Sequence, residues 1–180
     1  MMHKRRPLLN VVLVLAACGM SLSAQAPPAP ANAAQQIHAD MNQLMRGVLY
    51  PAANVVFFAQ ADDPEEASKA FNGDPAMATD PLKAAFGGWQ AVQNAALALA
   101  ESANLLTMEG RRCSNGTPVP TGDPSWVKFS QELRDASMKA YTAAQARSIE
   151  KVFEASEVLS ANCAGCHRQW RDRRKQPRCQ

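Results

Sequence analysis

Four stretches of the chain repeat apolar residues at intervals of three and four positions, a spacing that places them on one face of an α-helix. These stretches begin near Gln35, at Leu82 or Trp89, after Asp123 and near Arg147. Alanine is abundant, and no stretch shows a convincing strand alternation. The pattern predicts an all-α fold. Four amphipathic helices in series are most simply closed as an antiparallel four-helix bundle.

Prolines and glycines limit the predicted helices. The first is expected over residues 35–50 and should end or kink at Pro51. The apolar residues 55–58 either continue it as a bent half or cap the core as irregular chain. Residues 62–81 and 110–122 are rich in proline and glycine, so both are predicted loops.

The other three helices are predicted with clearer ends. The second runs to about Met108, and the third starts with Asp123 as N-cap and Pro124 at the first helical position. The fourth runs from about Arg147 into residues 163–167. The residues expected to face the core are Ile37, Met41, Leu44, Met45, Val48 and Leu49; Trp89, Val92, Ala96, Leu99, Ala103 and Leu106; Trp126, Phe129, Leu133, Ala136, Ala140 and Tyr141; and Ile149, Val152, Phe153, Leu159, Cys163 and Cys166.

The N-terminus has the features of an export signal. Lys4, Arg5 and Arg6 precede an apolar run over residues 8–17, which is too short to span a bilayer. Residues 1–17 are therefore predicted to be a signal peptide of the lipoprotein type. Without those three of the 19 basic residues, 16 basic and 16 acidic residues remain. This balance argues against a nucleic-acid partner.

Cys18 follows the apolar run directly, in a context that resembles a bacterial lipoprotein signal in which this thiol is lipidated. Ordinary cleavage near Ala26 is the alternative. Residues 18–34 contain a run of Ala and Pro that suits a semi-extended tether. We expect a lipid anchor and tether over 18–34, with the folded domain over 35–180.

The residues that carry chemistry are Cys163, Cys166 and His167, in the order Cys-Ala-Gly-Cys-His. This is the attachment motif of haem c. Its two thiols add to the vinyl groups of the haem, its histidine ligates the iron, and its small central residues let the backbone approach the porphyrin. A zinc site would lack ligands, because the mature chain has only His38 besides His167. A redox dithiol would need a βαβ context, which is not predicted.

The layout resembles the class II c-type cytochromes, the cytochrome c′ family. The motif lies at the end of the last of four helices and is followed by Arg168-Gln169-Trp170-Arg171. The resemblance extends over residues 37–175 and implies one covalent haem c in a four-helix bundle in the periplasm. The insertion at 62–81, the loop around Cys113 and the tether depart from the family pattern.

The ligand on the other side of the iron decides between two functions. In an antiparallel bundle, the start of the first helix lies level with the end of the fourth, so Met41 and Met45 can reach the haem. In the family the distal residue comes from this helix, and Leu44-Met45 matches its distal segment best. We expect Met45, then Met41, then His38. A methionine ligand favours single-electron transfer. A vacant position favours binding of nitric oxide or carbon monoxide, and His38 as distal base would suit a peroxidase, the least favoured reading.

Cys113 and Cys179 remain after these assignments. In an oxidising compartment they are expected to form a disulfide, since the loop of the first and the C-terminus lie at the same end of the proposed bundle. Free thiols or an intermolecular bond are the alternatives. A basic patch after the motif suits docking of an acidic redox partner or contact with the haem propionates, or simply the negative end of a helix dipole. The patch comprises Arg168, Arg171, Arg173, Arg174, Lys175 and Arg178. Bundles of this family often pair through exposed helical faces, so a homodimer is also open.

Overall fold

The computed structural model describes residues 36–70, 82, 86–172 and 179, all within the unit Gln36–Gln180. Within these residues there is no strand, only one isolated antiparallel bridge between Arg112 and Pro118. The all-α prediction is therefore confirmed for this part of the chain. None of its helices is long and apolar enough to cross a membrane. The six described α-helices are α1 (Met41–Leu44), α2 (Tyr50–Phe58), α3 (Pro64–Ala70), α4 (Gly88–Leu106), α5 (Pro124–Gln145) and α6 (Ile149–Trp170).

The first helical segment starts later and ends later than predicted. Asp40 is its N-cap and forms a capping box with Gln43, in which each side chain accepts a hydrogen bond from the other residue's backbone N–H at 2.8 and 2.9 Å. Residues 36–40 are therefore not helical, and the predicted start near Gln35 is wrong. Val48 is 37% exposed, so its assignment to the core face is also wrong.

A π-helical turn over Met45–Leu49 joins α1 to α2. Pro51 lies just after this turn and lacks the N–H that a regular helix would need at that position. The backbone N–H of Tyr50 donates to the carbonyl of Met45, five residues back. The wider turn lets the helix continue through the proline to Phe58. Of the two alternatives for residues 55–58, the structure therefore shows the second half of a helix and not irregular chain.

The predicted loop over residues 62–81 is wrong in its first part. Pro64 starts α3, where its missing N–H costs nothing because the first turn of a helix has no internal acceptor. The N–H of Glu65 donates to the side chain of Asp63 at 2.9 Å, which satisfies one of the free donors at this end. Residues 71–81 lie outside the described part.

The second and third predicted helices correspond to α4 and α5, and both agree with their predictions. α4 spans Gly88–Leu106, and every residue expected on its apolar face is buried. α5 begins after Asp123, whose carboxylate accepts hydrogen bonds from the backbone N–H groups of Ser125 and Trp126. On its apolar face Trp126, Leu133, Ala136 and Ala140 are buried, with Phe129 and Tyr141 half-buried.

The fourth helix, α6, is capped by Ser148 and continues through the cysteine motif to Trp170. Its buried stripe is Val152, Ala155, Ser156 and Leu159. Ile149 and Phe153 are 44% and 47% exposed, so their assignment to the core is wrong. The stripe includes a serine, whose hydroxyl donates to the carbonyl of Val152 four residues back at 2.8 Å.

Small residues dominate the contact between the long helices. α4 packs against α5, and α5 packs against α6, while α2 contacts both α4 and α6. The fully or almost fully buried residues at these contacts include Ala96, Ala103, Ala136, Ala140 and Ala144. Short side chains at these positions let the helix backbones approach closely.

Candidate functional site

A cavity of about 860 Å³ opens between the first helical segment, α5 and the end of α6. Its volume lies in the range of about 300–1,000 Å³ that is usual for small-molecule and cofactor sites. The residues that line it are mostly apolar. They are Met41, Asn42, Met45, Arg46, Leu49, Tyr50, Ala53, Asn54, Phe57, Leu99, Leu106, Trp126, Phe129, Ser130, Leu133, Asn162, Cys163, Cys166, His167, Trp170, Arg171, Asp172 and Cys179.

The α6 wall of this cavity carries the three residues of the attachment motif. Cys163, Cys166 and His167 are half-buried and all line the cavity, because positions three and four apart share one face of a helix. Both cysteines are free thiols. Burial raises the pKa of Cys163, and burial together with the neighbouring Cys163 raises the pKa of Cys166 to about 12. Both sulfurs therefore carry their protons at neutral pH.

His167 is held as a neutral imidazole. Burial lowers its pKa, the positive charge of Arg171 lowers it further, and Asp172 acts in the opposite direction. The Nη1 atom of Arg171 lies 3.3 Å from Nδ1 of the ring, and the same guanidinium pairs with Asp172 at 2.7 Å. A neutral imidazole has the free lone pair that a metal ligand requires.

The opposite wall is formed by the first helical segment. Met41 is almost fully buried, Met45 is half-buried, and both line the cavity one turn apart. Arg46 also lines it, with an exposed side chain. His38 is exposed, precedes α1 and is not among the lining residues. The structure thus brings Met41 and Met45, but not His38, to the same cavity as the cysteine motif.

Gly165 has a second role besides the one expected from the motif. A Cβ atom at this position would lie 3.0 Å from Cε1 of Phe129, closer than ordinary contact. The absent side chain therefore makes room for a ring of α5 that itself lines the cavity. On the same side, the side-chain amide of Asn162 donates to the carbonyl of Phe129 at 3.0 Å.

Cys113 and Cys179 form a disulfide, the pairing expected from the sequence, with their Cα atoms 4.7 Å apart. Cys113 is buried, and Cys179 lines the cavity. The backbone N–H of Cys179 donates to the carbonyl of Trp170 at 3.3 Å. The bond therefore holds the tail of the chain against the end of α6. Of the basic patch, Arg168 and Arg171 are exposed, and the other four residues lie outside the described part.

Several lining residues were not expected from the sequence as part of a site. Trp170 packs edge-on against Trp126 with the ring centroids 5.7 Å apart. Two buried polar atoms, Oδ1 of Asn162 and Nε1 of Trp170, have no hydrogen-bond partner among the described residues. The helical periodicity continues past the motif and could have indicated Trp170, since it lies three residues after His167. Asn162 gave no such signal.

The donors that line the cavity are of types that can hold a haem. No group of three or more His, Cys, Asp and Glu side chains that could hold an ion occurs among the described residues. A porphyrin supplies the equatorial nitrogens itself, so its iron needs only axial ligands from the protein. The cavity offers one imidazole, two thioethers and two thiols against mostly apolar walls. The residues present therefore fit a covalently attached haem.

The chain matches no protein-family model, no curated protein and no solved structure. Its function is therefore inferred from its own residues and their arrangement.

Proposed function

We propose that this protein is a periplasmic c-type cytochrome that carries one covalently bound haem c and transfers single electrons. The observation that carries the proposal is the shared cavity. It places Cys163, Cys166 and His167 on one wall and the thioethers of Met41 and Met45 on another. The resemblance to the cytochrome c′ family, seen in the sequence, points in the same direction.

We further propose that the architecture is an antiparallel four-helix bundle, formed by the first helical segment, α4, α5 and α6. Hydrogen bonds between helix ends support this arrangement. At one end Nε1 of Trp126, near the start of α5, donates to the carbonyl of Leu106 at the end of α4, at 2.9 Å. At the other end the side chain of Gln93 donates to the carbonyl of Ala144 at 3.4 Å. The contact of Asn162 with Phe129 relates α5 and α6 in the same way.

The chain's own residues have distinct tasks in this proposal. Cys163 and Cys166 would hold the haem covalently through their sulfur atoms, which line the cavity. His167, as a neutral imidazole, would hold the iron of the haem. When bound, haem c supplies an iron that alternates between its ferric and ferrous states. Trp126, Phe129 and Leu133 line the site with apolar surface, and a less polar environment would influence the potential of such a centre.

Met45 would also hold the iron through its thioether sulfur, with Met41 one turn earlier as the alternative. A thioether ligand raises the potential of the iron and completes its coordination, which suits electron transfer. Arg46 and Arg171 also line the cavity, where their charges would favour the propionate carboxylates. The exposed Arg168 and Arg171 support docking of an acidic redox partner at this end of the molecule.

The proposed location depends on residues 1–35, which lie outside the described part. We propose export by the signal over residues 1–17 and anchoring through lipidated Cys18. Mass spectrometry of the mature N-terminus tests this. A diacylated cysteine at position 18 is the expected result, and an unmodified N-terminus at or near Pro27 would exclude the anchor.

Haem attachment is tested by producing the protein in a bacterium that matures c-type cytochromes in its periplasm. The full chain should gain the mass of one haem and keep its colour after denaturation. The double variant Cys163→Ser with Cys166→Ser should lose the covalent bond. The double variant Cys113→Ser with Cys179→Ser is the matched control and should keep it. A colourless wild-type protein with both motif thiols reactive would exclude the proposal.

The sixth ligand is tested by absorption spectroscopy of the ferric protein. The wild type should show a methionine-to-iron charge-transfer band at the red edge of the visible range. Met45→Ala should abolish this band, whereas Met41→Ala should retain it. A high-spin ferric spectrum in the wild type would instead favour the gas-binding alternative, with carbon monoxide bound directly by the ferrous protein.

A further inference from the structure

Arg111 is a buried cation outside the cavity. Its side chain is 4% exposed, and burial lowers the pKa of its guanidinium, which nevertheless stays charged at neutral pH. Its hydrogen-bond partners are two backbone carbonyls, of Ala39 at 2.6 Å and of Leu105 at 3.1 Å, and the sulfur of Met108 at 3.6 Å. Arginine is rarely buried without a charged partner. The burial of Arg111 therefore indicates that the position of its guanidinium relative to these three acceptors is important.

Two hydrogen bonds connect residues 111 and 112 to the start of α1. The guanidinium holds the carbonyl of Ala39, which directly precedes the N-cap Asp40. The backbone carbonyl of Arg112 accepts a hydrogen bond from the N–H of Met41 at 2.9 Å. The third contact, to Leu105, lies at the C-terminal end of α4, where the helix dipole favours a cation. Arg111 therefore joins the end of α4 to the start of the helical segment that carries both methionines.

A covalent link continues from this segment to the other wall of the cavity. Cys113 is two residues after Arg111 and is bonded to Cys179. The N–H of Cys179 donates to the carbonyl of Trp170, three residues after His167. The start of α1 and the end of α6 are thus connected through residues 111–113 as well as through the packing of the helices.

We propose that Arg111 is a positioning residue, which fixes the wall carrying Met41 and Met45 relative to the wall carrying His167. Its consequence for iron ligation rests on the proposed function, whereas its effect on the wall does not. A guanidinium suits this task because its planar fork directs donors at two carbonyls at once. A lysine ammonium at the same position cannot reproduce that fixed geometry.

The first test is hydrogen exchange measured on the protein as purified. The N–H of Met41 reports directly on whether the start of α1 stays against residue 112. Arg111→Gln should lower its protection about tenfold or more, because a hydrogen bond to a charged group is lost. Arg111→Lys should lie between this variant and the wild type. Arg112→Gln is the matched control, since it removes an exposed side chain whose hydrogen bond among the described residues goes to the carbonyl of Gly116.

The comparison with α5 separates positioning from general stability. If the Met41 amide in both Arg111 variants exchanges as slowly as in Arg112→Gln, the proposal is overturned. It is also overturned if amides of α5 lose protection by the same factor as Met41 in Arg111→Lys, since the residue would then act on the whole fold. Selective loss at the start of α1 supports it. This measurement needs no haem, so it remains decisive if the protein proves colourless.

The second test reads the iron itself. Carbon monoxide should bind to the ferrous Arg111→Gln protein about tenfold faster than to the ferrous Arg112→Gln protein. The reason is again the loss of the hydrogen bond from the guanidinium of Arg111. The red-edge band of the ferric form should weaken in Arg111→Gln, and Arg111→Lys should recover it in part. Equal rates and equal bands in the two glutamine variants would refute a role in positioning the ligand. Failure of the proposed function looks different, because it would already appear in the wild type. The wild type would then bind no carbon monoxide if it carries no haem, or show no red-edge band if no methionine holds the iron.

Discussion

Breaking the disulfide between Cys113 and Cys179 should destabilise the protein substantially. The two cysteines are 66 positions apart, and the bond closes a loop that contains α5 and α6. In the chain-entropy description, such a bond stabilises by about 3 kcal/mol for a 15-residue loop and about 4.7 for a 100-residue loop. For this separation the same relation gives about 4 kcal/mol. That is a large part of the stability of about 5–15 kcal/mol that is usual for a domain.

The assay is urea unfolding followed by far-ultraviolet circular dichroism, with the protein as purified in each case. With a slope of about 2 kcal/mol per molar urea, the midpoint should fall by about 2 M in the Cys113→Ala, Cys179→Ala double variant. The slope itself should rise, because the unfolded chain without the bond exposes more surface. Wild-type protein with the bond chemically reduced is the control, since it keeps both sulfur atoms.

If the reduced wild type and the double variant unfold at the same lowered urea midpoint, the lost stability is due to loop closure. If only the double variant loses stability, the cause is instead the lost packing of Cys113, which is 3% exposed. If both proteins unfold at the midpoint of the oxidised wild type, the reasoning from loop entropy is refuted.

Three further predictions concern the ends of helices. Arg147 follows α5 with φ at 51°, so Arg147→Gly should raise the free energy of unfolding by about 0.5–1 kcal/mol, because relief of the left-handed backbone outweighs loss of the exposed ion pair with Glu65. Lower stability in urea would show that the ion pair matters more. Asp40→Ala should cost about 1 kcal/mol in the same assay through loss of the N-cap, and an unchanged midpoint would contradict the importance of the capping box. Asp123 accepts hydrogen bonds from the hydroxyl and the backbone N–H of Ser125, which hold the pKa of its carboxyl below the ordinary value. The stability it adds is therefore complete above about pH 4 and is lost as the pH falls through the lower folded-state pKa, so Asp123→Asn should flatten the acid side of a Tm profile.

The long helices were predictable because their patterns agree at several levels. α5 combines an N-cap, a proline at the first helical position and an apolar stripe, and each was readable in the sequence. The start of α1 was readable too, since Asp40 and Gln43 have the spacing of a capping box, but the apolar Ile37 drew the predicted start forward.

Other features depend on contacts that no local pattern contains. Ile149 and Phe153 lie at helical spacing from the core residues, yet α6 turns Ala155 and Ser156 inward in their place. A buried arginine such as Arg111 has no sequence signal, since this residue type is expected at the surface. The cysteine motif indicated the wall at α6, whereas the contribution of Phe129 to the site follows from the packing of its ring at Gly165.

The π-helical turn at Met45–Leu49 determines which residues share a side of the first helical segment. In a regular α-helix each residue turns the chain by about 100°, so residues four apart drift by about 40° and residues 41 and 57 would differ by about 160°. Because the π-helical turn contains one extra residue, it reduces the angle between residues 41 and 57 by about 100°. One continuous row therefore faces the cavity at intervals of four: Met41, Met45, Leu49, Ala53 and Phe57. If the turn relaxed to a regular α-helix, Met41 would rotate out of this row, whereas a chain one residue shorter at this point would keep the row without needing the turn.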